Sequence, residues 1–191
     1  TYGKFIERPF PHLVEKAMRQ TCVNLGCGNG GIDAFINDPT VMDICSNADM
    51  TVVQIMGANN LSNRFYSVHP RRNDRFVRAS TVLQAIYDDV DFSEFSFTRH
   101  MLGALYDRSP DRFDIVVGEL REAWIARMKN LLNRIGPRCV LLWFSEEPMN
   151  DTPWSERPDQ LQTDPLFINA SMVDELRLLV RDVVVVNPSE K

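Results

Sequence analysis

An α/β fold with a parallel sheet between two layers of helix is what this sequence predicts, and three observations carry the prediction. Short β-branched or apolar runs recur at 22–25, 51–56, 138–144 and 183–186. Stretches of helical periodicity separate them, so successive strands are joined by crossovers, which are right-handed and build a parallel sheet in three layers. The run at 138–144 is continuously apolar, as expected for a strand covered on both faces. A flavodoxin-like architecture follows.

In chain order, an amphipathic helix is expected over 11–20, a strand over 22–25 and a short helix over 39–47 that opens at Asp38-Pro39. The β-branched run 51–56 is the next strand, followed by a long polar loop. Helical patterns then occupy 80–88, 96–107 and 111–135. In the last of these Leu120, Trp124, Ile125, Met128, Leu131 and Leu132 share one face, which is expected to be core. Gly136-Pro137 stops that helix. After the strand at 138–144 comes a polar, proline-rich stretch over 145–165, then a helix over 167–180 and a strand over 183–186 that ends at Asn187-Pro188.

With 191 residues, 44% hydrophobic and 25% charged, the chain can bury one core and is expected to form one domain. No run approaches the roughly 18 apolar residues of a membrane span, so no membrane partner is expected. A net charge of −5 argues against a nucleic-acid surface, which needs concentrated positive charge. Cys22, Cys27, Cys45 and Cys139 show neither CxxC pairing nor a histidine at zinc spacing, so no metal and no cofactor are expected. Free thiols of this kind suit a reducing cytoplasm.

Two strand exits concentrate hydrogen-bond donors. Gly57-Ala58-Asn59-Asn60 directly follows the strand at 51–56, and the segment 22–31 places Gly26, Gly28, Gly30 and Gly31 within six residues. Open α/β sheets bind ligands at the carboxyl ends of their strands, where backbone N–H groups and carboxamides can meet a developing negative charge. The two loops are therefore expected to share one site. Tight strand exits with no further role would use the same residue types.

These blocks resemble the SGNH, or GDSL-type, hydrolase superfamily. Thr1-Tyr2-Gly3 matches the tail of that family's nucleophile block, Asn24-Leu25-Gly26 its second block, and Gly57-Ala58-Asn59-Asn60 its third, with Asn60 where the family has Asp. The likeness is closer to a bacterial group of SGNH-like proteins with NLGC and MGA(N/Q)N loops, from which the fold transfers and no activity does. The resemblance implies an SGNH-like domain over 1–191, an attacking Ser or Thr just upstream of Thr1, and an Asp-x-x-His after Lys191. It further implies that Asn59 is an oxyanion donor and that Gly26 or Gly30 supplies a second donor from its backbone. Asp164-Pro165-Leu166-Phe167 does not replace the missing block, because Phe167 cannot accept a proton.

His12 and His100 read as structural. His69, by contrast, lies among Arg64, Arg71, Arg72, Arg75 and Arg78, a positive cluster just downstream of the Asn59 loop. Guanidinium groups bind carboxylate, sulfate or phosphate in a bidentate manner. Asn60, Arg64, His69, Arg71, Arg72 and Arg75 are thus expected to bind substrate, a small-molecule or glycan ester with an anionic group, the alternative being a solvated loop paired with acidic helices or an oligomer contact. The expected function is ester hydrolysis or a degenerate descendant of it. Two alternatives stand beside it. Residues 23–30 also look like the glycine motif of S-adenosylmethionine methyltransferases, with 112–117 imitating a later motif. A non-catalytic binding or assembly protein on the same scaffold, oligomeric or with an exposed apolar surface, is the other.

Overall fold

The computed structural model describes residues 6–156 and 161–188. Their strands are β1 (Thr51–Gln54), β2 (Tyr66–Val68), β3 (Phe76–Ala79), β4 (Cys139–Phe144) and β5 (Asp182–Val186). Their α-helices are α1 (Phe10–Met18), α2 (Ile32–Ile36), α3 (Pro39–Asn47), α4 (Thr81–Ile86), α5 (Thr98–Arg108), α6 (Pro110–Ile135) and α7 (Ala170–Asp174).

The expected α/β class holds, with a parallel three-stranded sheet of order β1-β4-β5 flanked by helices in a three-layer arrangement. Thr51 is level with Cys139 and Val140 with Asp182. Side chains alternate across a strand, so Cys139, Leu141 and Trp143 share one face, where all three are fully buried. On the helical side lies α6, packed against α2, α3 and α5.

The sequence of α6 explains its role. Phe113, Val116, Val117, Leu120, Trp124, Met128, Leu131, Leu132 and Ile135 recur at three- and four-residue spacing, and all are buried. Ile125, placed on that face by the sequence reading, is partly buried at its margin. The Ser109 hydroxyl accepts from the Arg112 N–H at the helix start, and Gly136, at φ 91°, ends the helix as expected.

Four sequence expectations are corrected. Residues 22–25 are not a strand, because they find no β-ladder partner among the described residues. The expected long polar loop contains the antiparallel hairpin β2–β3, irregular between Ser67 and Val68, and a short helix, α2, precedes α3. Finally, Phe167 at φ 65° cannot begin a helix, so α7 starts at Ala170, where the Asn169 side chain accepts from Met172 N–H.

The other face of the sheet is covered only in part. Val52, Val140, Leu142 and Val184 line an apolar groove closed on one side by Phe10 of α1. Further along α1, Leu13, Val14 and Met18 are exposed, and no residue of that helix is buried. Among the described residues, no helix is long and apolar enough to cross a membrane.

Candidate functional site

The site is built outward from the carboxyl end of β1. Ile55 N–H still bonds Leu142 O at 2.9 Å, and Met56 O accepts from the indole N–H of the buried Trp124 at 2.8 Å. The chain then turns where only glycine fits. A side chain at Gly57 would stand 2.8 Å from Leu166 N and 2.7 Å from Asn59 Oδ1. Next, Ala58 N–H donates to Leu166 O at 3.0 Å, which lays the segment after Pro165 against the turn.

The glycine loop arrives at this turn from the other side. Gly31 lies so close to Asn60 that a Cβ there would overlap the Asn60 carbonyl oxygen and sit 2.8 Å from its carbon. The two loops therefore meet, at Gly31 and Asn60.

Their clasp is Asn73, a fully buried residue in the β2–β3 turn that the sequence reading did not single out. Its Oδ1 accepts from Gly31 N–H at 2.9 Å and Ala34 N–H at 3.0 Å, and its Nδ2 donates to His69 O at 2.9 Å. Asn29, held at φ 58° in the left-handed region that asparagine tolerates, adds a bond from Nδ2 to Asp74 Oδ2 at 3.2 Å.

The expected donors are engaged within the protein. Asn59 is 3% exposed, and its Nδ2 donates to Asn60 Oδ1 at 2.8 Å. Its carbonyl accepts from Tyr66 Oη at 2.7 Å, and burial pushes the Tyr66 phenol up, so that hydroxyl keeps its proton. Gly26 N–H bonds Asn24 Oδ1 at 3.0 Å, and Gly30 N–H bonds Cys27 O at 3.2 Å. Both glycine amides thus serve local turns. Thr98, 1% exposed at the start of α5, is a second residue the sequence reading missed, and its hydroxyl donates to Asn60 Oδ1 at 2.8 Å.

The arginines do not gather into one anion site. Arg64 precedes β2 and is bound to Glu119 of α6 at 2.8 Å, whereas Arg71 and Arg72 stand exposed in the turn at the other end of that strand. Arg75 stacks over Phe97, its Cζ 5.1 Å from the ring centroid, and its Nε is buried without a hydrogen-bond partner. Arg78 is exposed on β3. His69 has a structural task here, since its Nδ1 accepts from the N–H groups of Arg71 and Arg72 at 3.2 Å each. That geometry holds the imidazole as an acceptor at Nδ1.

A buried ion pair braces the floor of the site. Asp33, 5% exposed, accepts from Arg127 and from Ser62 N–H.

Other candidates fall away from the site. Residues 112–117, which imitate a methyltransferase motif, lie inside α6 and not at a strand end. The segment from Asp164 is a loop, with Asp164 paired to Arg99 at 2.7 Å. His100 meets the Phe95 ring edge-on at 5.2 Å. Burial pushes the Cys139 thiol up to about 12 and raises that of Cys45, which makes both poor nucleophiles. Among the described residues no His, Cys, Asp and Glu group could hold a metal ion. Thr1-Tyr2-Gly3 lies outside the described residues.

The family model described as Domain of unknown function (DUF6473) matches residues 1–191, the whole chain. No curated protein and no solved structure matches it.

Proposed function

We propose, since the chain belongs to DUF6473, a family of domains of unknown function, a role drawn from its own site. It is an SGNH-like protein whose two converging loops form the oxyanion-binding half of an ester-hydrolysing site. One observation carries this reading: the backbone of Gly31 is seated against Asn60 at the carboxyl end of β1. There the Asn59–Asn60 carboxamide pair and the glycine loop border one point of space.

Acyl transfer requires a hydroxyl to attack the acyl carbon, a base to take the hydroxyl proton, and donors for the electron pair displaced onto the carbonyl oxygen. Of these three parts, the Asn59–Asn60 carboxamide pair is read as the donor. Because the arginines are divided, nothing in the site demands an anionic substrate, and an uncharged acyl ester suffices. Asn59→Ala is expected to lower kcat on p-nitrophenyl acetate by about 10²- to 10³-fold, because it dismantles the carboxamide pair that meets the oxyanion. An unchanged kcat would refute the role of the carboxamide pair.

A second reading is favoured by the partly covered sheet face: a non-catalytic assembly protein on the same scaffold, covered by a second copy of itself. Groove and exposed α1 stripe lie side by side, the arrangement in which a two-fold axis can seat each stripe in the partner's groove. Light scattering after size exclusion is expected to give a dimer mass that Val52→Asp abolishes. A monomer at high micromolar concentration removes this reading.

A further inference from the structure

We infer that Asn60, and not Asn59, presents the carboxamide donor to a ligand oxygen, with Asn59 and Thr98 as its positioning residues. This rests on the acyl-transfer reading and assigns the roles within it. The observation is an asymmetry between the two neighbours. Asn59 is buried and directs Nδ2 at Asn60, so its donor capacity turns inward.

Asn60 is only partly buried, and its Oδ1 is gripped by two donors, Asn59 Nδ2 and Thr98 Oγ1, each at 2.8 Å. A primary amide is planar, so fixing its oxygen from two sides also fixes the direction of both N–H bonds on the same group. Among the described residues no acceptor meets Asn60 Nδ2. Gly31 packs directly against this residue, since a Cβ there would stand 3.1 Å from Asn60 Cβ.

The residue type then has a chemical reason. Aspartate is the alternative nearest in shape. An ionised carboxylate only accepts hydrogen bonds, so the two inward donors would satisfy it while its other lone pairs faced the ligand. Asparagine accepts on the inner side and donates on the outer. That polarity suits a carbonyl oxygen gaining charge or the carboxylate of a released acid, and it repels neither.

Two measurements test the assignment. In the first, sodium acetate is titrated into the isotopically labelled chain, and the side-chain N–H resonances of Asn59 and Asn60 are followed. The Asn60 pair is expected to shift saturably while the Asn59 pair stays near its starting position. Movement of Asn59 alone, or of neither, overturns the inference. A shift at Asn60 in a chain that hydrolyses no ester would sink the hydrolase reading and leave the donor assignment standing.

In the second, Asn60→Asp keeps the shape and both inward hydrogen bonds, now charge-assisted, but removes the outward N–H groups. The variant is expected to melt no lower than the parent while kcat/KM for p-nitrophenyl acetate falls by about 10²-fold or more. Retained turnover in a folded Asn60→Asp protein overturns the inference.

Discussion

Gly31→Ala is expected to lose about 3 kcal/mol of stability or more, a drop in Tm on the order of 10 °C for a domain of this size. The cause is steric alone. Gly31 has φ −96° and ψ −177°, extended backbone that any residue adopts, so no dihedral strain enters. The added methyl group would instead occupy the volume of the Asn60 carbonyl oxygen, and backbone cannot rotate away as a side chain can.

Relief requires the glycine loop to withdraw from the turn, which also stretches the two bonds from Gly31 and Ala34 to Asn73. Gly30→Ala makes the contrast. A Cβ there would lie 3.2 Å from the ring of Phe35 and 3.3 Å from Cys27, neighbours able to give by a few tenths of an ångström. Thermal unfolding of the two variants should therefore separate them clearly, and equal melting points would contradict the packing of the two loops.

Trp124→Ala is expected to cost about 3–5 kcal/mol for the cavity, with a further contribution from the orphaned Met56 carbonyl. Against a typical total of about 5–15 kcal/mol, that leaves a chain close to unfolding at physiological temperature. The indole is fully buried on α6, and its N–H reaches across to the last residue before Gly57. Trp124 thus fixes both the core and the point at which the chain leaves β1.

Trp124→Phe divides these two contributions. It keeps most of the ring but not the N–H, and is expected to lose about 1–3 kcal/mol. Denaturant unfolding of both variants measures the split. A loss in Trp124→Ala no larger than in Trp124→Phe would show that burial of this ring contributes little.

Much of the scaffold was legible because it depends on patterns within one segment. The α6 stripe repeats over seven turns, Gly136 marks its end, and the apolar run of β4 is uninterrupted, so short-range periodicity suffices for each. The strand expected over 22–25 failed for the converse reason, since a strand needs a partner and propensity alone does not provide one. The β2–β3 hairpin stayed hidden because its strands are three and four residues long and joined by an arginine-rich turn without a two-residue hairpin signature.

The same division applies to the site. Glycine and asparagine concentrated in two loops pointed to their convergence. What holds them together did not show. Asn73 bonds to Gly31 and Ala34 from about forty positions away, and Arg127 reaches Asp33 across 94. An asparagine in a polar, arginine-rich turn carries no local mark of being fully buried. Nor could the inward turn of the Asn59 carboxamide be read, because its partner Asn60 Oδ1 is held in place also by Thr98 of α5.

The parallel pairing of β1 with β4 also bears on how the molecule is made. Thr51 lies level with Cys139, so among the described residues the first strand of the sheet has no neighbour until roughly eighty further residues have been polymerised, several seconds at about 5–20 residues per second. Throughout that interval Val52 and Val53 offer an unsatisfied edge to any other nascent chain. Helix α6, whose backbone hydrogen bonds are local, can form early and serve as the surface on which β1 waits. Yield from a translating ribosome should accordingly depend on how quickly the 110–144 region emerges.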